Sequence, residues 1–108
     1  MQEESSSDKR HFARFPVKLS ARFLNMYSNR WRLVKTHDVS LRGVGLFTDE
    51  QLAPDTSLEI WLPIPDKGET LYAWGNVAWS KMVEPDKYRT GVNLGGTDLS
   101  EVIQALKE

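Results

Sequence analysis

Two arginines four residues apart stand near the start of the chain, in the segment Arg10-His11-Phe12-Ala13-Arg14. A guanidinium group binds phosphate through two parallel, charge-assisted hydrogen bonds, and it pairs in the same forked way with O6 and N7 of guanine. In an extended chain four residues span about 13 Å, so Arg10 and Arg14 could grip separate parts of a ligand as large as a dinucleotide. In a turn, both would converge on one anion. The motif alone is also typical of two solvated arginines.

A second polar motif follows in Asp38-Val39-Ser40-Leu41-Arg42-Gly43. Residues two apart share one face of a strand, so Asp38 and Ser40 are predicted to present two hydrogen-bond acceptors on the same side. Gly43 permits either a positive φ or a close approach of a ligand to the backbone. Taken alone, the motif is equally typical of a turn held by Asp and Ser side chains.

Enzyme motifs are not found in the sequence. It has no Gly-x-Ser-x-Gly elbow, no phosphate loop of the Walker type and no His-Glu-x-x-His helix. Zero cysteines exclude thiol catalysis and disulfides, and two histidines are too few for a convincing metal centre. His37 precedes Asp38, but neighbours on a strand point to opposite faces, so we do not expect them to meet as a catalytic pair. We therefore expect a binding protein that uses no metal or cofactor.

The charge of the chain is divided between its two halves. Residues 1–47 carry nine Lys and Arg against four Asp and Glu, whereas residues 48–108 carry five against eleven. A nucleic-acid polymer prefers a broadly basic protein, so this division favours a small anionic ligand. The sequence contains no run of eighteen apolar residues, so we expect no membrane insertion. Residues 1–8 lack the features of a secretory signal, so we expect a cytoplasmic protein.

The hydrophobic pattern predicts six short strands and a helix. Period-two alternation and turn residues place the strands at 15–23, 31–39, 43–48, 58–64, 71–79 and 88–94, which indicates an all-β barrel or sandwich. Apolar residues at helical spacing predict a C-terminal helix over 99–106 that closes one opening, with Asp98 and Glu101 as a start resembling a capping box. Residues 1–9 are predicted to form a flexible arm, and residues 10–108 the folded domain.

The four tryptophans are candidates for either the core or a ligand platform. We expect Trp31 to be a core residue, and the pattern does not decide between the two for Trp61 and Trp74. Trp79 closes a strand, where its ring face could meet a ligand.

Together, the two polar motifs resemble the PilZ family. An Arg-x-x-x-Arg segment enters the first strand, and Asp-x-Ser-x-x-Gly follows 24 residues later between the second and third strands. The resemblance covers nearly the whole chain and includes Arg14-Phe15-Pro16, the run Val44-Gly45-Leu46-Phe47, the strand end at Trp79, the stretch Tyr88-Arg89-Thr90-Gly91-Val92 and the C-terminal helix. Leu94 departs from the family, which usually has an aromatic residue at this point.

The resemblance implies a bacterial receptor for cyclic di-GMP, built on a six-stranded antiparallel β-barrel with a short C-terminal helix. By position, it assigns guanine edges and phosphates to Arg10 and Arg14, and the other side of the ligand to Asp38, Ser40 and Gly43. Lys9 and Trp79 match positions that assist in some members. Ligand binding would order the arm and signal to an unidentified protein partner. The alternative is a PilZ-like interaction module that binds no ligand.

Overall fold

The computed structural model describes residues 13–108, so Lys9 and Arg10 of the predicted site lie outside the described residues. The elements are β1 (Phe15–Pro16), β2 (Ser20–Asn25), β3 (Arg30–Ser40), β4 (Gly43–Thr48), β5 (Ser57–Ile64), β6 (Glu69–Glu84), β7 (Lys87–Gly95) and α1 (Ser100–Lys107). The predicted strands and helix are all present, but the first strand is broken in two and β6 continues beyond its predicted end at residue 79.

All strand pairs are antiparallel, and they close into a barrel. The sheet order is β1-β3-β2-β5-β6-β7-β4, and β4 also pairs with β3. At Asp38 and Val39, β4 occupies one edge of β3 and β1 the other, and β2 continues along that second edge from Lys35. Because β1 and β2 share one strand position, the predicted six-stranded antiparallel barrel is confirmed.

The first strand breaks between Pro16 and Ser20 because a buried side chain replaces part of the backbone ladder. Pro16 has no N–H to donate. The hydroxyl of Thr36 accepts a hydrogen bond from the Leu19 N–H at 2.8 Å and donates to the Val17 carbonyl at 2.5 Å. The Thr36 side chain thereby provides hydrogen-bond partners for these two backbone groups, which the break would otherwise leave unpaired.

The core is formed by the inward-facing side chains of the strands, which alternate along each strand with outward-facing ones, and by one side of the helix. In β5, Leu58, Ile60, Leu62 and Ile64 are buried, as the period-two pattern predicts. The buried residues of the C-terminal segment, Leu99, Val102 and Ala105, join the same apolar cluster.

Two sequence expectations about individual residues are wrong. Trp31 is not a core residue, since 49% of it is exposed. The cross-strand partner of the buried Phe23 is Arg32, so the strand alternation turns Trp31 outward. The helix also lacks a capping box, because its N-cap is Leu99 and Asp98 instead accepts hydrogen bonds from the N–H and hydroxyl of Ser100.

Candidate functional site

A β-bulge determines where the acidic residue of the second motif points. The register between β3 and β4 shifts between Thr36 and Asp38. A bulge inserts one residue into a strand and locally breaks the alternation of side chains. As a result His37 Nδ1 lies 3.5 Å from Asp38 Oδ2, so the expectation that these two side chains do not meet is wrong.

Arg14 and Asp38 form a two-pronged ion pair. Strand β1 aligns Pro16 with Asp38, which brings the side chain of Arg14 to the same place. Arg14 Nε donates to Asp38 Oδ2 at 2.9 Å, and Arg14 Nη2 donates to Asp38 Oδ1 at 3.0 Å. Half of the arginine side chain is exposed, but only 11% of the aspartate side chain is. The pair therefore presents an accessible guanidinium above a mostly buried carboxylate.

The ion pair shifts the pKa of both partners toward their charged forms. Hydrogen bonds from Arg14 lower the pKa of Asp38 below its ordinary value, although burial on its own would raise it. The bonds to Asp38 likewise raise the pKa of Arg14. The site therefore holds a carboxylate, which is an acceptor only, and a guanidinium, which is a donor only.

Two glycines form a shelf between Asp38 and Trp79. Asp38 pairs with Gly45, Gly45 with Gly91, and Gly91 with Trp79, in one row across β3, β4, β7 and β6. A Cβ at position 45 would overlap Asp38 Oδ1, and a Cβ at position 91 would come within 2.5 Å of the indole of Trp79. We call Gly45 and Gly91 the glycine shelf, because the side chain of Asp38 packs over Gly45 and that of Trp79 packs over Gly91.

A cavity of about 260 Å³ opens beside the glycine shelf. Small-molecule pockets usually measure roughly 300–1,000 Å³, so this cavity is a surface groove large enough for part of a ligand. Four of the predicted site residues line it, together with five that were not predicted as site residues: Arg14, Ser40, Gly43 and Trp79, with Arg42, Ala78, Gly91, Val92 and Asn93.

Ser40 and Gly43 stand opposite each other at the β3–β4 turn. Ser40 is buried, and its hydroxyl donates a long hydrogen bond of 3.4 Å to the Gly43 carbonyl. Gly43 does not have a positive φ, so the first of its two predicted uses is wrong, and close approach of a ligand stays a prediction. A Cβ there would stand 3.1 Å from the Val92 carbonyl oxygen, which makes Gly43 a spacer between β4 and β7.

The structure thus brings together Arg14, Asp38, Ser40, Gly43 and Trp79, which come from four different parts of the chain. Gly45, Gly91, Arg42 and Asn93 also belong to this site, and sequence reasoning did not single them out as site residues. Glycine is unfavourable inside a strand and often marks a close approach, so the glycines at outward positions of β4 and β7 were an available signal.

A further cation lies beside the acidic end of the site. Arg89 Nη2 lies 3.3 Å from His37 Nδ1, which accepts its hydrogen bond when the ring is neutral. Arg89 Nε is buried and has no hydrogen-bond partner among residues 13–108. Arg14 and His37 thus contact the carboxylate of Asp38, and Arg89 contacts His37. Two arginines stand against one carboxylate at this edge of the site, which favours an anion.

A larger cavity, about 590 Å³, lies elsewhere and contains none of the predicted site residues. Its lining is mostly apolar and cationic, with two aspartates: Lys18, Ser20, Ala21, Arg22, Arg32, Leu33, Val34, Lys35, Phe47, Thr48, Asp49, Asp86 and Lys87. Within residues 13–108 no group of three His, Asp or Glu side chains could hold a metal ion. No helix in that part of the chain is long and apolar enough to cross a membrane.

A family profile described as PilZ domain matches residues 8–107. No curated protein matches the sequence. A solved structure, described as the structure of Bacillus subtilis inhibitor of motility (MotI/DgrA), is similar with a TM-score of 0.68 and 12% identity, over 94% of this chain and 49% of that one. The likeness shows a shared fold, and the present chain spans about half the length of that protein.

Proposed function

This chain belongs to the PilZ domain family, and we propose from that membership and from its site that it is a receptor for cyclic di-GMP. PilZ domains are binding modules, generally for this second messenger. The observation that carries the proposal is the row from Asp38 across the glycine shelf to Trp79, with Arg14 above it. It sets a carboxylate, a guanidinium and an aromatic ring around the glycine shelf, whose two residues have no side chain of their own.

The chemistry of each group matches one part of the ligand. Guanine presents N1–H and the 2-amino group side by side, and the Asp38 carboxylate can accept from both. The guanidinium of Arg14 fits either a phosphate or the O6 and N7 edge of guanine. The indole of Trp79, 38% exposed, offers a face on which a base can stack.

Ligand binding on this proposal replaces the Arg14–Asp38 ion pair. Without ligand the two side chains satisfy each other. A guanine supplies donors for the carboxylate, and a phosphate supplies acceptors for the guanidinium, so both groups keep their hydrogen bonds when the pair opens. Buried polar groups that lost a partner without replacement would cost about 1–3 kcal/mol each.

We further propose that Arg10 completes the arginine pair with Arg14, and that Lys9 assists it. On this view the N-terminal segment closes over the ligand and presents a changed surface to a partner protein. Both residues lie outside the described part of the chain, so their role follows from the Arg-x-x-x-Arg motif. The rival proposal is a PilZ-like module that binds a partner without ligand. The assembled site favours the receptor.

Isothermal titration of the full chain with cyclic di-GMP tests the proposal. We expect saturable binding by the wild type and strongly reduced binding by Asp38→Asn, which keeps the shape of the side chain and removes its charge. Asp66→Asn, in an exposed turn, is the matched control and should bind normally. A wild type that releases no heat at millimolar ligand, while its fold is intact, would establish the ligand-free module instead.

A further inference from the structure

Eight side chains form a second surface on the far side of the barrel. Cross-strand pairing arranges them in two rows over β3, β2, β5 and β6. We call this surface the aromatic face. Its first row is Leu33, Arg22, Trp61 and Tyr72, and its second row is Trp31, Leu24, Glu59 and Trp74.

The aromatic face exposes more large apolar surface than the fold needs. Leu33 is 81% exposed, and Trp31, Tyr72 and Trp74 are each close to half exposed. The core is complete without them, since the opposite faces of these strands supply it. Contiguous apolar patches on a soluble protein mark sites of interaction.

Contacts within the face hold its rings in place. The ring centroids of Trp31 and Trp61 are 4.8 Å apart, and those of Trp61 and Tyr72 are 5.2 Å apart. The guanidinium of Arg22 lies 5.3 Å from the Trp31 ring and 5.8 Å from the Trp61 ring. Because the rings already support one another, a partner that binds them loses little side-chain entropy. Trp, Tyr and Arg are also the residues that most often dominate binding energy at interfaces.

The face is separate from the cyclic di-GMP site. In the closed sheet, β5 stands three strand positions from β4, directly across the barrel. The eight residues of the aromatic face include none of those that line the cavity beside the glycine shelf. A partner on the aromatic face therefore need not displace the ligand.

The charge around the face selects the class of occupant. Strands β2 and β3 carry Arg22, Arg30, Arg32 and Lys35 against one acid, Asp38, which Arg14 already binds. The cavity of about 590 Å³ borders the face, since Arg22 and Leu33 belong to both. Asp49 and Asp86 line this cavity, and Asp49 lies 3.8 Å from Arg32, but five cationic side chains outnumber these two acids, so its charge is net positive: Lys18, Arg22, Arg32, Lys35 and Lys87. Two copies of this chain meeting through β2 and β3 would bring like charges together, which is unfavourable. An acidic partner would be attracted.

Strand pairing differs between the centre of the face and its border. In the centre, β2 and β5 are paired on both sides, so a partner contacts them through side chains. At the border, β3 pairs with β4 only from Lys35 onward, so the backbone of residues 30–34 is paired on the β2 side alone and forms an edge to which a strand can be added. We propose that the aromatic face is the docking surface for a protein partner whose contact region has apolar side chains at its centre and acidic side chains beside them. The apolar centre packs on Trp31, Leu33 and Trp61, and the acidic side chains enter the cationic cavity. The proposal does not depend on cyclic di-GMP binding.

Site-specific photocross-linking of the full chain, in the cells that naturally produce it, tests the proposal. A photoreactive amino acid replaces Leu33 in one variant and Met82 in the other. Met82 is the matched control, because it is 63% exposed and lies at the far end of β6. We expect a protein adduct at position 33 and not at position 82. The protein found in the adduct is then purified without the cross-link, and its affinity is measured for the wild type and for variants. Only variants whose thermal unfolding matches that of the wild type are used.

The titration decides whether the adduct is the partner that we propose. We expect Trp31→Ser to weaken binding at least tenfold, Arg22→Gln to weaken it several-fold and to reduce its salt dependence, and Met82→Ser to leave it within twofold. The proposal is overturned by equal adducts at both positions, by no adduct, or by an adduct that is a second copy of this chain. Binding that is indifferent to Trp31→Ser or to salt also overturns it.

Discussion

The carboxylate of Asp38 lies over Gly45, its cross-strand partner, in the space that a Cβ at position 45 would fill. This relationship orients the acidic side chain that β3 contributes to the proposed ligand site. It also leaves Oδ1 and Oδ2 free to face Arg14. The absence of one methyl group in β4 is thus a condition for the ion pair between Arg14, which precedes β1, and Asp38 of β3.

Gly45→Ala should therefore damage the site more than the fold. The new methyl group displaces a side-chain oxygen, which can rotate away, so we expect a loss of unfolding free energy of about 1 kcal/mol. The rotated carboxylate no longer faces the ligand, and affinity for cyclic di-GMP should fall at least tenfold, or about 1.4 kcal/mol. Denaturant unfolding and calorimetric titration measure the two effects.

Gly75→Ala is the contrasting control. A Cβ at position 75 would overlap the Asn93 carbonyl oxygen, and this backbone atom cannot turn aside. We expect this variant to lose much more stability than Gly45→Ala. If Gly45→Ala bound like the wild type, the position assigned to the Asp38 carboxylate in ligand binding would be wrong.

Arg14→Ala should separate ligand binding from folding. The arginine is half exposed, so the ion pair contributes little to stability, on the order of 1 kcal/mol or less. Loss of the guanidinium should weaken cyclic di-GMP binding about a hundredfold, since a charged group leaves the ligand contact. The affinity of Arg14→Lys for cyclic di-GMP should lie between those of the wild type and Arg14→Ala, because lysine keeps the positive charge but cannot form two parallel hydrogen bonds. Unchanged affinity in Arg14→Ala, measured by titration, would contradict the assignment.

Stability should depend on pH through Asp38. Its pKa in the folded protein lies below the ordinary value of about 3.9, because Arg14 hydrogen-bonds the charged form. A lowered folded pKa contributes stability above the ordinary value, and that contribution is lost as the pH falls through the folded pKa. The difference in unfolding free energy between wild type and Asp38→Asn should thus be largest above about pH 5 and shrink toward pH 2.

The same comparison in an Arg14→Ala background provides the control. Without the arginine, the hydrogen bonds that lower the pKa of Asp38 are gone. The difference in unfolding free energy between Arg14→Ala and the double variant Arg14→Ala/Asp38→Asn should therefore depend much less on pH. Urea unfolding at a series of pH values measures all four proteins. A difference between wild type and Asp38→Asn that stays constant from pH 6 to pH 2 would argue against the ion pair.

Base selectivity should also depend on Asp38. Guanine offers the carboxylate two adjacent donors, whereas adenine presents the N1 lone pair at the matching position. A site built to accept a donor rejects the analogue that lacks it, because its own polar group is left unpaired. We expect cyclic di-AMP to bind at least ~100-fold more weakly than cyclic di-GMP, about 2.7 kcal/mol. Asp38→Ala should lose affinity for guanine and narrow this gap. Equal wild-type affinity for the two dinucleotides would refute the role of Asp38.

The strands and the helix could be predicted from the sequence because their signal is local. Leu58, Ile60, Leu62 and Ile64 alternate with outward residues, and a strand that buries one face must show this period. Pro85 and Asp86 are turn residues between two of the predicted strands, and Asp86 adopts a positive φ there. The two polar motifs identified Arg14, Asp38, Ser40 and Gly43, and the structure places all four at one end of the β3–β4 ladder.

Only the tertiary structure decided which side chains meet, because strand register is set by residues far apart in the chain. The bulge that brings His37 beside Asp38 arises from the pairing of β3 with β4 and has no signature in the sequence of β3. The outward position of Trp31 follows from the pairing of Arg32 with Phe23, since β3 has apolar residues on both faces. The glycine shelf needs the registers of β3, β4, β6 and β7 together. Local composition determines that a strand forms, whereas closure of the barrel determines which glycine lies under which side chain.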